Sequence, residues 1–262
     1  MILTKSSELS DALRLLARAA GDLIMTYYDR PIVARAKPDS SPVTDADEAA
    51  ERLIVEGLRS LAPDIPIVAE ELFAAGQSPE VGEEPFWLVD PLDGTKEFIG
   101  RNGEFTVNIA LIVDGEPVEG VVLAPALPVI YFTRHGVAYM AEGDEAPRAI
   151  RVDGGDGGGG VVAVVSRSHY SPETSDFLKD YDVAQERAAG SSLKFGLIAS
   201  GAATLYPRLG RTMEWDTAAG DAVVRAAGGS VRTLDGVALR YGKPGFENPH
   251  FIAQGPGVAK KT

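Results

Sequence analysis

The stretch Trp87-Leu88-Val89-Asp90-Pro91-Leu92-Asp93-Gly94-Thr95 holds the residues best suited to chemistry. An apolar run, Phe86 to Val89, reads as a buried strand that delivers Asp90 and Asp93 into a Pro/Gly turn. Two carboxylates set so close repel, and neither is easily buried unless a cation lies between them. A hard divalent ion such as Mg2+, which prefers oxygen ligands, is the simplest answer. The backbone N–H groups of Gly94 and Thr95 offer a place for an anion beside it. Glu70, ending a short strand Ile67 to Ala69, and Asp216, at a helix start, are further oxygen donors. The Leu92 carbonyl adds a neutral one. Such a set could hold two or three cations. Two ions about 3.5–4 Å apart polarise a phosphoryl oxygen, acidify a bound water and stabilise the leaving oxygen. The Gly94 and Thr95 amides would hold the remaining phosphate oxygens.

Each acid also has a plain structural reading. Asp47 completes a capping box with Thr44, Glu70-Glu71 suits a solvated strand end, Asp93-Gly94 is a common turn, and Asp216 beside Thr217 is an ordinary N-cap. None of these explains why Asp90 and Asp93 both follow so apolar a strand. Aspartyl-nucleophile phosphatases place an acidic Asp-Gly-Thr after a strand too, but their two aspartates are one residue apart. Here Pro91 and Leu92 both intervene, and helices precede the motif.

The elements that must position these groups follow from periodicity. Leu9, Leu13, Leu16, Ala20, Leu23, Ile24 and Tyr27 share one face of a first helix, Ser6 to Tyr28. A polar loop, 36–42, leads to a second amphipathic helix carrying Ala46, Ala50, Leu53, Ile54, Leu58 and Leu61, closed by Pro63 and Pro66. Thr106–Val113 and Val118–Leu123 form a hairpin across Asp114-Gly115, and Val129–Thr133 pairs with Val137–Met140. Residues 153–160 are glycine-rich. No Gly-Lys-Ser/Thr follows, so a linker over 151–160 is expected rather than a phosphate loop. Beyond it, strand Val161–Val165, helices after Ser171-Pro172 and Ser191-Ser192, a strand at Ala203–Tyr206, helix Ala218–Ala227 and strands Val231–Leu234 and Phe251–Ala253 alternate. The expected fold is α+β with an antiparallel sheet in 1–150 and α/β with a mostly parallel sheet in 161–262.

A chain of 262 residues suffices for real cores, and its 45% hydrophobic and 24% charged content is that of a soluble globular protein. It has no cysteine, which excludes thiolate chemistry and fits a reducing compartment; the cytoplasm is the expected location. The formal charge of −13 argues against nucleic-acid or anionic-membrane partners. No apolar run approaches membrane-spanning length and no secretory signal is present. An anionic substrate would need local positive charge, which metal ions could supply.

Asp90-Pro91-Leu92-Asp93-Gly94-Thr95 resembles the signature of the inositol monophosphatase family of metal-dependent, lithium-sensitive phosphomonoesterases. Trp215-Asp216-Thr217-Ala218-Ala219-Gly220-Asp221 resembles the family's second signature, and Ala69-Glu70-Glu71 its upstream ligand segment. The order matches and the likeness covers nearly the whole chain. Ser41 to Asp47, Thr95-Lys96-Glu97-Phe98, Gly103 to Ile112, Ser166-Arg167-Ser168-His169, Gly190 to Phe195, Leu205 to Arg208 and Asn248 to Phe251 resemble its bacterial 3′(2′),5′-bisphosphate nucleotidases. Inositol enzymes usually carry Thr-Asn-Phe where this chain has Thr95-Lys96-Glu97-Phe98.

The resemblance implies a layered αβαβα fold with the site between two subdomains. It implies one Mg2+ on Glu70, Asp90 and the Leu92 carbonyl, and a second on Asp90, Asp93 and Asp216. A third, weaker ion would touch Asp47. Asp47, Thr95 and Glu70 would be the catalytic groups, with Asp47 and Thr95 deprotonating the attacking water. Glu70, Leu92, Asp93, Gly94, Thr95 and Asp216 would contact substrate at the scissile phosphate. His169, Gly190 and Lys194 carry over from the nucleotidase-like segments; His169 is a candidate partner for a base, and Lys194 and Arg208 for a second phosphate. The implied reaction is hydrolysis of adenosine 3′,5′-bisphosphate to AMP and phosphate, with 3′-phosphoadenosine 5′-phosphosulfate as a further substrate. An inositol or broad sugar phosphatase is the alternative within the family, and a non-catalytic cation-binding module the alternative outside it. Relatives can associate peripherally with the cytoplasmic face of the inner membrane. A homodimer is left open.

Overall fold

Helix α1, Ser7–Tyr28, buries Leu9, Leu13, Ala17, Ala20 and Ile24 on one stripe, as its heptad-like spacing predicts. The structure, a computed structural model, describes residues 7–37, 42–154 and 160–261. Ser6, Ser41 and most of the glycine-rich run at 153–160 therefore lie outside the described residues. Strands β1, Ala34–Ala36, and β2, Pro42–Thr44, form a small antiparallel ribbon that flanks the expected polar loop and overlaps it at Ala36 and Pro42. Helix α2, Asp45–Leu61, starts at the expected capping box: Thr44 Oγ1 accepts from Ala46 N, and Asp47 Oδ2 accepts from Thr44 N at 2.8 Å.

A seven-stranded sheet follows, in the spatial order β3 to β9. Its members are β3 (Ile67–Ala69), β4 (Phe86–Asp93), β5 (Thr106–Val113), β6 (Glu116–Ala124), β7 (Val129–Arg134), β8 (Val137–Glu142) and β9 (Arg148–Ala149). β3 and β4 are parallel; every other pair is antiparallel. Short helices α3 (Glu70–Ala74) and α4 (Thr95–Ile99) leave the ends of β3 and β4.

The second sheet has the order β11-β10-β12-β14-β13. Strands β10 (Val161–Ser166), β11 (Val183–Ala189) and β12 (Leu205–Arg208) are mutually parallel through β10. β14 (Phe251–Gln254) runs against both β12 and β13 (Ser230–Thr233). The sheet is therefore mixed, not mostly parallel: the helix Glu214–Ala226 carries the chain over so that β13 runs the same way as β12, but residues 234–250 join β13 to β14 with no crossover α-helix, and β14 runs against both.

Between the strands lie α5 (Pro172–Leu178), α6 (Leu193–Ala199) and α7 (Glu214–Ala226). Five layers result. Helices α1 and α2 cover one face of the first sheet through Ile54, Leu58, Trp87, Val89, Ile109 and Leu111. The opposite face, with Phe86, Leu88, Ala110 and Ile112, packs on α6 and α7 through Phe195, Ile198, Ala219 and Val223. That same core runs on into the second sheet at Val164, Tyr206, Phe251 and Ala253. Leu178 of α5 packs on the outer face with Ala163, Val165 and Leu205. Each such aliphatic side chain taken fully out of water contributes roughly 1.5–3 kcal/mol. Close approach of α7 depends on Gly120 in β6, where a Cβ would lie 2.5 Å from the Ala219 carbonyl oxygen.

Candidate active site

The two aspartates of the acidic motif are not in a turn. Strand β4 continues through Asp93, and the irregularity sits inside it. Asp90 pairs with Asn108 and Asp93 with Thr106, so three steps on β4 match two on β5. One extra residue is a β-bulge, and Pro91, which has no N–H to give the ladder, is tolerated there. The bulge has a chemical consequence. Side chains alternate along a strand, so a spacing of three would send Asp90 and Asp93 to opposite faces. Because Thr106 and Asn108 share a face, their partners now do too. Register also brings in Glu70: Ala69 pairs with Val89, so the next residues, Glu70 and Asp90, stand side by side.

Asp216 arrives from α7, one turn deeper than a helix cap. The N-cap is Met213, whose N–H donates to Asp216 Oδ2 at 2.8 Å, so Asp216 is the third helical residue. The second half adds the chain beyond β10, Arg167 to His169, and beyond β11, Gly190 to Ser192, with Arg208 ending β12. Parallel strands thus aim their C-terminal ends at one place, the usual ligand position in such sheets.

A cavity of about 490 Å³ opens there. Glu70, Asp93, Gly94, Thr95, His169, Lys194, Arg208 and Asp216 line it. Asp90 is buried behind them, 1% exposed. Burial, then Glu70, Asp93 and Asp216, push its carboxyl well above the usual range. Asp216 is raised likewise by burial, Asp93 and Glu70. Glu70 is raised by burial, with the Lys37 ammonium 2.6 Å away opposing the shift. Lys37 also holds Glu71 at 2.6 Å, and Glu70 and Glu71 outweigh burial to keep its own pKa above the ordinary lysine value.

Crowded buried carboxylates with oxygen-only donors fit a hard divalent ion, which would relieve their repulsion. The expected cage is not closed, however. Among the described residues no three acidic or histidine side chains are arranged to grip one ion as they stand, and the cation at Glu70 is Lys37.

Asp93 Oδ2 accepts from Ser191 Oγ at 2.8 Å and lies 2.7 Å from Ser192 Oγ, so both serines hold one of its oxygens. Asp47 serves two purposes. Its Oδ2 caps α2 while its Oδ1 accepts from Thr95 Oγ1 at 3.0 Å. Burial raises the Asp47 carboxyl against the hydrogen bonds from Thr44 and Thr95. The Leu92 carbonyl lies 3.4 Å from the same Thr95 hydroxyl. Gly94 turns the chain at φ +87°, with Ser191 so near that only glycine suits the position.

The remaining candidates divide. His169 is on the cavity rim, its Nε2 3.2 Å from Lys96 Nζ. Its pKa is pushed down to about 4 by burial and by Arg208, Lys96 and Lys194, so the ring is neutral. Lys194 reaches the cavity but is otherwise buried; its ammonium donates to the Ala189 carbonyl at 3.2 Å and to that of Ser191. Two of its three protons are therefore spent on backbone. Gly190 does not line the cavity. Its N–H donates to Glu104 at 2.7 Å, and a Cβ there would strike Glu97 and Glu104.

Sequence reasoning missed Lys37, Lys96, Glu51 and Ser191-Ser192 as parts of the site. Glu51 accepts from Glu71 N and Leu72 N at 2.7 and 3.0 Å and so fixes the start of α3 beside Glu70. Its position one turn after Asp47, on the same face of α2, was the available signal.

The inositol monophosphatase family model matches residues 5–261. The 3′(2′),5′-bisphosphate nucleotidase CysQ of Salmonella typhimurium is 49% identical over 90% of this chain and 95% of its own. Its Escherichia coli K12 counterpart is 47% identical over the same shares. The crystal structure of CysQ from Bacteroides thetaiotaomicron superposes with a TM-score of 0.78 at 38% identity, covering 94% of this chain and 96% of that one. Among the described residues no helix is long and apolar enough to cross a membrane. Motif order, layered architecture and the crowded carboxylates agree with these matches: the chain belongs to the inositol monophosphatase family.

Proposed function

We propose that the chain is a Mg2+-dependent phosphomonoesterase that uses water to remove the 3′-phosphate of adenosine 3′,5′-bisphosphate, giving AMP and inorganic phosphate. One observation carries this reading. The acids fitted to a divalent ion and a cationic, histidine-bearing wall share the same 490 Å³ cavity. A nucleoside bisphosphate needs both, one for the scissile phosphate and one for the rest of the molecule. The names of the relatives similar to this chain support the same substrate class.

Glu70, Asp90 and the Leu92 carbonyl would hold one ion, and Asp90, Asp93 and Asp216 a second; a third would touch Asp47. Bound there, Mg2+ would supply Lewis-acid polarisation of the phosphoryl group and a more acidic water. The chain's own part is proton handling and orientation. Thr95 Oγ1 donates to Asp47 Oδ1, which leaves its lone pairs to accept from an attacking water. The proton passes through the hydroxyl to Asp47, whose burial makes it a stronger base than an exposed aspartate. Ser191 and Ser192 fix one oxygen of Asp93 and leave the other free. The Gly94 and Thr95 amides face the phosphate. Arg208 and the remaining Lys194 proton meet the second phosphate, and neutral His169 meets the base. By the same contacts 3′-phosphoadenosine 5′-phosphosulfate would also be accepted.

The test is kcat/KM for adenosine 3′,5′-bisphosphate and for inositol 1-phosphate in one Mg2+ buffer. Preference for the bisphosphate is expected. Preference for the inositol ester would reassign the substrate, and no phosphate release from either would leave a cation-binding module.

A further inference from the structure

Three consecutive residues of the second half, Arg167, Ser168 and His169, each take a partner from the first half. Arg167 grips Glu104 through Nε and Nη2 at 2.6 and 2.7 Å. Ser168 Oγ donates to Glu97, and His169 Nε2 faces Lys96 Nζ. Arg167 is further tied by Nη2 to the Ala188 carbonyl at 2.9 Å, and its N–H to that of Ala189. The backbone that carries His169 is thus anchored on both halves of the chain before the ring is reached. Lys96 and Glu97 lie on α4, the helix that begins with Thr95.

An ammonium donates and cannot accept. The imidazole nitrogen that faces Lys96 must therefore present its lone pair, and the ring proton belongs on Nδ1. A hydrogen bond at one ring nitrogen decides which nitrogen keeps the proton. Free neutral imidazole prefers the opposite tautomer, so the contact selects the minor form. We propose that Lys96 is a specificity-determining positioning residue, holding His169 as the Nδ1–H tautomer in one orientation so that a nucleobase meets a fixed donor and a fixed ring plane. The charged groups that act on the ring agree with this. Arg208 on β12, Lys96 on α4 and Lys194 on α6 all oppose a positive imidazole and each outweighs Asp93 on β4, which favours one. The specificity role rests on the assignment of His169 to the base; the tautomer does not.

The test exploits the presence of only three histidines, His135, His169 and His250. Long-range 1H–15N correlation spectra of the full chain at pH 7 read the tautomer of each ring directly, and His169→Asn assigns the signal. In the wild type His169 is expected as Nδ1–H. Lys96→Met should turn it towards Nε2–H, and Lys96→Arg, which can still donate, should restore it. An Nε2–H ring in the wild type, or an unchanged ring in Lys96→Met, would overturn the proposal.

Kinetics give the second arm. Lys96→Met should raise KM for adenosine 3′,5′-bisphosphate about fivefold, the scale of one hydrogen bond, with kcat little changed. A small ester without a base, p-nitrophenyl phosphate, should show a smaller rise. Equal rises would reduce Lys96 to a general positive charge and overturn its role in specificity. The expected spectra without any turnover of the bisphosphate would sink the functional reading and keep the tautomer assignment.

Discussion

Helix α7 carries Glu214, Asp216 and Asp221 within eight positions, and the fold treats them in two ways. Glu214 is fully buried but accepts from Gly242 N at 2.6 Å and Lys243 N at 2.9 Å, with the Lys243 ammonium 2.6 Å away. Asp221, also fully buried, takes a two-pronged bond from Arg225 at 2.7 and 3.0 Å and the Tyr241 hydroxyl at 2.9 Å. Asp216 has one backbone N–H and a ring of other acids. Buried charges survive when paired, so the first two acids hold the 240–243 segment and the β5–β6 tip against the helix. The unpaired one stands where a cation from outside is wanted. One helix therefore separates acids that build the fold from an acid kept for chemistry.

The sharpest way to break this contrast is Asp216→Asn. The amide keeps an acceptor for Met213 N and removes one like charge. Turnover should fall about a thousandfold, roughly 4 kcal/mol of lost transition-state stabilisation. Stability without Mg2+ should hold or rise. The wild type should gain about 2.7 kcal/mol at Mg2+ a hundred times its dissociation constant, and the variant most of that less. Calorimetric melts with and without Mg2+ read both halves. A metal-free protein clearly weakened by Asp216→Asn would put Asp216 with the structural acids.

Asp221→Ala should do the reverse. It strands Arg225 and the Tyr241 hydroxyl, and losing one member of a buried pair costs about 3–5 kcal/mol. Arg225 is a quarter exposed and also approaches Glu116 at 4.0 Å, so the low end of that range is expected. Urea unfolding measures it, and kcat of the folded protein should stay within a few-fold of wild type. A large kcat loss at full stability would erase the distinction.

How much of this was legible in the sequence follows the same division. Asp90 and Asp93 stood out because an apolar strand ran into them, Glu70 and Asp216 because they stand at element ends, and the capping box at Thr44 and Asp47 is local chemistry. The bulge between Asp90 and Asp93 was not readable, because register depends on the partner strand. Strand β11, Val-Ala-Gln-Glu-Arg-Ala-Ala, escaped because it is an exposed edge with no alternation. Helix α7 begins earlier than expected because Met213, an unusual cap, precedes it. Lys37 and Lys96 each act through a residue more than 30 positions away, and nothing in their neighbours announces that contact, whereas Glu51 offered only its place one turn after Asp47.

Glu119 gives the mildest test, since it is buried like the α7 acids, yet among the described residues burial and the Thr133 hydroxyl alone act on it. It is 3% exposed, on the face of β6 beneath α1 and α2, and it accepts from the Thr133 hydroxyl, which in turn accepts from Gly120 N at 2.9 Å. Burial lifts its pKa to about 7, with Thr133 opposing. An isolated buried acid should simply keep its proton. The folded state then binds that proton more tightly than the unfolded chain, whose carboxyl titrates near 4.5. This contribution to stability is fully present below about pH 4.5, shrinks as pH rises to about 7, and is constant above. Glu119→Gln removes the ionisation and keeps an oxygen for Thr133. Its stability from urea unfolding, relative to wild type, should climb across that window by about 3 kcal/mol, given a shift from 4.5 to about 7 at about 1.4 kcal/mol per pKa unit. Parallel curves from pH 4.5 to 8 would mean that Glu119 ionises as an exposed acid does, and that burial without like-charged neighbours is not enough to keep a carboxyl protonated in this fold.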